Sequence, residues 1–151
     1  MANARLYVDT SVVSAYFDEH DIGRREATVE FWSALKSVPA AVSPIVVEEL
    51  SDTPDVVRRE KLLALVRGLQ HIEWTPEMAS LSDKYLAAGV FRRRTRRDGY
   101  HVAACTVAQI PVLVSWNFRH LVNRQRRVMI NLVNIAQGYN QIEIISPPEW
   151  R

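Results

Sequence analysis

Five short strand-like stretches, 5–8, 40–43, 71–74, 112–115 and 142–145, alternate along this chain with longer segments of helical apolar spacing. That alternation predicts an α/β fold, a three-layer α/β/α sandwich with a mainly parallel central sheet. Helical spacing runs to roughly Asp18, then over 22–36, where Val29, Phe31, Trp32 and Leu35 form an expected apolar stripe. Leu62, Leu63, Leu65, Val66 and Leu69 supply another such face, and 128–136 a further one. Pro44, Pro54 and Pro76 fall where helices are expected to start, positions at which the missing N–H has no partner to lose. Gly89 and Gly138 fall near expected helix ends.

The length of 151 residues suits one domain, 1–151, with a single core, and there is no internal repeat or low-complexity linker. A hydrophobic share of 48% and a charged share of 24% match a globular chain, and no apolar run approaches the roughly 20 residues that cross a bilayer. Met1-Ala2-Asn3-Ala4-Arg5 lacks the charged and apolar regions of a signal peptide, so a cytoplasmic protein without membrane contact is expected. Cys105, the single cysteine, lies in an apolar helical stretch and reads as a small core residue. The net charge is only +2, but 16 of the 19 basic residues are Arg, and five crowd into 92–97. Guanidinium forks match phosphate oxygens, which makes nucleic acid a natural partner. A like-charge block is often plain solvated surface, yet this one abuts Asp98.

Four polar residues stand out against apolar surroundings. Asp9 ends Leu6-Tyr7-Val8-Asp9, Glu49 sits in Ile45-Val46-Val47-Glu48-Glu49-Leu50, Asp98 opens Asp98-Gly99-Tyr100-His101-Val102, and Asn117 follows Val114-Ser115-Trp116. A carboxylate in such a setting tends toward burial, which disfavours its charged form unless a cation or hydrogen-bond donors offset the cost. In an open parallel sheet, ligands bind beyond the carboxyl ends of the strands, and all four residues can reach that rim. Each also has a plain structural role available. Asp9 and Asp98 suit helix caps, and Asn117 suits the turn after a strand. With about 100° per residue, Val46, Val47 and Leu50 mark the buried face of their helix, and Glu49 lies nearer its border than Glu48. His101 and His120 show no paired zinc spacing and read as structural or peripheral, while Trp116 and Trp150 read as buried more readily than as base-stacking.

Taken together, Tyr7-Val8-Asp9-Thr10-Ser11, Ser43-Pro44 with Val47-Glu48-Glu49-Leu50, Asp98-Gly99-Tyr100-His101-Val102-Ala103-Ala104 and Leu113-Val114-Ser115-Trp116-Asn117-Phe118-Arg119-His120-Leu121 resemble the PIN-domain nucleases. They resemble particularly the VapC-type ribonuclease toxins and their close relatives, and the similarity extends to Ile145-Ser146-Pro147-Pro148-Glu149. The resemblance implies a metal-dependent endoribonuclease, the toxin of a toxin–antitoxin pair. Asp9, Glu49 and Asp98 match the family's metal-binding acids, and Asn117 stands where a fourth acid is usual. Mg²⁺ or Mn²⁺ is the implied cofactor, and the neutral amide favours one ion over two. Ser115 matches a small hydroxyl position of the family's site, and Thr10 or Ser11 is placed to donate to a carboxylate or a phosphate; guanidinium chemistry adds Arg94, Arg96 and Arg97 as expected contacts to flanking phosphates, with Arg119, Arg124, Arg126 and Arg127 extending the track. RNA, a cognate antitoxin and a second copy of the chain in a homodimer are the implied partners. The alternative is a catalytically weak or inactive RNA-binding or protein-interaction module on the same fold.

Overall fold

The computed structural model of the chain describes residues 3–150. Its centre is a sheet of five parallel strands: β1 (Leu6–Val8), β2 (Ala40–Val42), β3 (Gln70–His71), β4 (Val112–Val114) and β5 (Glu143–Ile145). They lie in the order β3-β2-β1-β4-β5, with Leu6 opposite both Ala40 and Val112. Strands covered on both faces need apolar residues throughout, and every residue of β1, β2 and β4 is buried.

Seven α-helices cover the sheet among the described residues: α1 (Thr10–Ala15), α2 (Ile22–Ala34), α3 (Pro44–Ser51), α4 (Val56–Val66), α5 (Pro76–Ala87), α6 (Arg96–Val107) and α7 (Arg124–Ala136). The chain leaves β1 in one direction to build β2 and β3, then returns past β1 to build β4 and β5. Parallel crossovers keep one hand, so this reversal sends the helices to opposite faces. Accordingly α1, α3 and α4 pack together, and α5 packs against α6 and α7. The reversal also leaves a switch point between β1 and β4, where α3 meets α6.

Local chemistry sets most of the helix ends. The side chains of Asp21, Ser43, Asp55, Thr75 and Asn123 accept from backbone N–H groups of the helices they precede. Pro44 and Pro76 open α3 and α5 as expected, whereas Pro54 lies one residue before the cap Asp55. Gly89 and Gly138 follow α5 and α7 with φ of +75° and +82°, a conformation that side chains with a Cβ rarely adopt.

Several sequence expectations shift. The third strand is Gln70–His71 rather than 71–74, because edge pairing extends only to Ile72, whose N–H donates to Val42 O. Val29 is exposed, so Phe31 and Leu35 carry the buried side of that segment, with Trp32 packed partly against it. On α7 it is Ile130 and Asn134 that are buried, while Val128, Leu132 and Ile135 face outward. Asn134 is tolerated in the core because its amide accepts from Tyr85 Oη at 2.5 Å and donates to Thr106 Oγ1 at 3.2 Å. Cys105 is buried, and burial pushes its thiol well up, as suits an unreactive core residue.

Candidate active site

Asp9 leaves β1 at its carboxyl end and stands at the switch point, its N–H bonded to Val114 O of β4. It occupies the cap position of α1, yet its side chain makes no capping bond. Instead Oδ2 accepts from Ser11 Oγ at 2.6 Å and Ser115 Oγ at 2.7 Å. Each hydroxyl is itself held by a backbone donor, Trp116 N–H on Ser11 and Asn117 N–H on Ser115. A carboxylate only 5% exposed is therefore fixed by two oriented donors, and its capping role gives way to a positional one.

Glu49 arrives from α3 and Glu48 stays exposed, as the helix-face reading required. Glu49 Oε1 accepts from Thr10 Oγ1 and from His101 Nε2, both at 2.6 Å. Its Oε2 accepts from Arg97 Nε at 3.2 Å, and the same guanidinium reaches Glu48 at 3.4 Å. His101 Nε2 also lies 3.4 Å from Asp9 Oδ1, so one buried imidazole joins two of the acids. Its other nitrogen bonds Tyr7 Oη at 2.7 Å, and Tyr7 Oη bonds Ser43 Oγ at 2.7 Å. Of the structural or peripheral role expected for His101, only the peripheral half is corrected: the side chain bridges Asp9 and Glu49 at the centre. Its position three residues after Asp98 in a helix places both on one face, which was the available signal.

Asp98 sits in the first turn of α6, where the helix dipole favours a negative charge, and accepts from Asn117 Nδ2 at 3.3 Å. Asn117 turns its amide oxygen toward the N–H of His120, and its backbone oxygen accepts from Leu121 and Val122. It therefore shapes its own turn and faces Asp98 with a donor.

The electrostatics follow from this crowding. Burial would raise the Glu49 carboxyl, but hydrogen bonding and charge from His101, helped by Thr10 and Arg97, bring it down to about 2. Asp98 lacks comparable donors, and burial together with the charge of Asp9 raises it to about 6. Burial would lower His101, yet the charge of Asp9 and the bond to Glu49 raise it.

Among the described residues no three His, Cys, Asp or Glu side chains are arranged to hold a metal ion. The donor set still fits a hard divalent cation in kind, since three carboxylates from three segments share one rim and Asp98 is short of positive partners. Two of those acids are engaged by the protein's own cationic or polarised groups: Asp9 and Glu49 by His101, and Glu49 also by Arg97.

The remaining expected contacts divide. Thr10, Ser11, Ser115 and Arg97 touch the acids, while Arg94 and Arg96 are exposed and take part in none of those bonds. Arg119 and Arg124 are exposed. Arg126 donates to Val90 O and lies over the Phe91 ring, and Arg127 donates to Ile144 O, so these two serve the fold rather than an open track. Trp116 is pinned by its bond to Thr28 and by Arg24 over its ring. Trp150 packs partly against the core.

A parallel five-stranded sheet with acids gathered at its switch point defines a PIN-like α/β/α fold, the one the sequence resemblance implied. Comparison with solved structures agrees. VapBC2 from Rickettsia felis, bound to a DNA fragment from its promoter, superposes with a TM-score of 0.63 at 13% identity, covering 93% of this chain and 97% of that one. VapC20 from Mycobacterium tuberculosis, a sarcin-ricin loop cleaving toxin, gives a TM-score of 0.63 at 15% identity, covering 91% and 98%. At the level of sequence, no family model and no curated protein matches the chain.

Proposed function

We propose that this chain is a metal-dependent endoribonuclease of the VapC type, the toxin of a toxin–antitoxin pair. The observation that carries the reading is that Asp9, just after β1, and Glu49, from α3, both meet His101 of α6, while Asp98, three residues earlier on α6, feels the charge of Asp9 and bonds Asn117 after β4, at the switch point of a PIN-like sheet. Fold likeness to a sarcin-ricin loop cleaving toxin and to a toxin–antitoxin assembly supports the substrate class and the antitoxin partner. A second copy of the chain and a cytoplasmic setting belong to the same proposal. No described helix is long and apolar enough to cross a membrane.

In this reading Asp9, Glu49 and Asp98 would hold Mg²⁺ or Mn²⁺, with Asn117 closing the fourth side. Bound there, the ion would lower the pKa of water and offset charge on phosphodiester oxygens. The chain's own groups set the stage. Ser11 and Ser115 fix the Asp9 carboxylate, and Thr10 and His101 fix Glu49. Arg97, half-exposed and shared by Glu48 and Glu49, can exchange those carboxylates for a phosphate oxygen. Arg94 and Arg96 extend from the same segment toward solvent, where flanking phosphates would pass.

Asp9→Asn keeps an oxygen acceptor for Ser11 or Ser115, so the fold is expected to survive. It removes a charge from the centre, and Mn²⁺-dependent cleavage of RNA is expected to fall by about 100-fold or more. Cleavage at the wild-type rate would overturn the assignment.

The neutral Asn117 and, among the described residues, the lack of a preformed metal group favour one second reading, a weakly active or inactive RNA-binding or protein-interaction module. Calorimetric titration with Mn²⁺ separates them, since only the nuclease requires saturable binding lost in Asp9→Asn and Asp98→Asn.

A further inference from the structure

Beside the acids, on the far side of Glu48, a cavity of about 400 Å³ opens between α3, α5 and α6. Trp74 and Tyr100 form one corner of it, their rings 5.6 Å apart at 74°. Both are half-buried, and Ile45 adds an apolar wall. Glu48 and Asp83 supply two carboxylates, and among the described residues no Lys or Arg lines the space, Arg97 reaching Glu48 from outside it at 3.4 Å. A volume of this order suits a small planar ligand.

The lining discriminates among occupants. A phosphate would meet the exposed Asp83 carboxylate and a Glu48 carboxylate whose one cationic partner, Arg97, is already shared with Glu49. A purely apolar side chain would desolvate the carboxylates without replacing their hydrogen bonds. A flat heterocycle that carries N–H donors on one edge satisfies both features: its face stacks on one ring, its rim meets the other, and its donors reach a carboxylate. A guanidinium shares that chemistry, but the five arginines of 92–97 precede Tyr100 on the same segment. They would repel an incoming cation and draw in a polyanion.

We propose that this cavity is a nucleobase pocket selective for guanine. Guanine alone presents adjacent ring N–H and amino donors that can serve one carboxylate at two points. Adenine and cytosine offer an amino donor beside an acceptor, and uracil sets its single N–H between two carbonyls that oppose the carboxylates. Glu48 shares Arg97 with Glu49, so a base seated here lies next to the acidic centre. As a determinant of cleavage sequence, the pocket rests on the ribonuclease reading; as a base-binding site it stands without it.

The test is equilibrium titration of the full chain in EDTA with GMP, AMP, CMP and UMP, followed by calorimetry and by tryptophan fluorescence. GMP is expected to bind at least about 10-fold tighter than UMP, the scale of one two-point hydrogen-bonded contact. Trp74→Leu is expected to weaken GMP by about 10-fold, the loss of one stacking platform. Asp83→Asn, at an exposed helix position, is expected to shrink the guanine-over-uracil ratio below about 3-fold. Equal affinity for all four nucleotides, or absence of saturable GMP binding, would overturn the pocket. So would saturable binding of N-acetylarginine amide without GMP binding, which would mark a site for a basic peptide. RNA cleavage dependent on Mn²⁺ and Asp9 but indifferent to guanine would refute only the pocket's role in setting the cleavage sequence. GMP binding without such cleavage would refute only the ribonuclease reading.

Discussion

Asp98→Asn should make the metal-free protein more stable at neutral pH, while removing its function. The Asp98 carboxyl is raised to about 6 by burial and by the charge of Asp9. An unfolded chain would titrate this group near 3.9, so the folded state favours the protonated acid. A raised carboxyl penalises folding only where it must ionise: the penalty is absent below about pH 4, grows as pH rises toward 6, and is full above that. Two pKa units correspond to about 3 kcal/mol, which residual solvent contact reduces to about 1–2 kcal/mol. Asparagine keeps the oxygen that accepts from Asn117 Nδ2 and removes the charge that opposes Asp9. In EDTA at pH 7.5, urea unfolding should therefore show the variant more stable by about 1–2 kcal/mol, or roughly 2–8 °C in Tm for a chain of this size. At pH 4 the two proteins should coincide. A gain of equal size at both pH values, or none at pH 7.5, would show that charge crowding at the acids is not the cause.

Glu49 carries the opposite sign. Its folded value of about 2 lies below the ordinary carboxylate range, so its contribution is full above about pH 5 and disappears as pH falls toward 2, visible as acid lability that Glu49→Gln removes. Tyr7→Phe deletes a fully buried hydroxyl that bonds both Ser43 and His101, and thermal unfolding should report a loss of about 1–3 kcal/mol; an unchanged Tm would mean the chain from Ser43 to Glu49 bears no load. Arg97→Ala frees Glu49 and Glu48 from a half-exposed ion pair, so Mn²⁺ should bind up to about 5-fold tighter while RNA binds more weakly, both measurable by titration. Weaker Mn²⁺ binding in that variant would show that Arg97 organises the site rather than competing for it.

Much of this molecule is legible in one dimension because its signals are local. Apolar triplets followed by proline-led or capped helices announce parallel βα units, and the order of acids among them places Asp9 at a strand end, Asp98 in a first helical turn and Glu49 in the second turn of α3. Glu49 was separable from Glu48 because helical rotation turns only one of them toward the buried face. Edge behaviour was less legible: β3 is two residues long because its partner strand ends, which the sequence of 70–74 does not encode. The apolar residues of α7 show the same limit, since spacing tells that a face exists and not which side the sheet occupies.

The sequence by itself determined the fold class, the strand and helix order, and which acids could gather at one rim. Only the tertiary structure decided what those acids touch. His101 becomes the bridge between Asp9 and Glu49, Arg97 becomes a clasp on Glu49 rather than a free cation, and Trp74 meets Tyr100 beside Glu48. These pairings join residues dozens of positions apart, and their chemistry depends on directions and distances of a few ångströms. Periodicity along the chain encodes which face a residue takes; it carries no record of the partner waiting on another element.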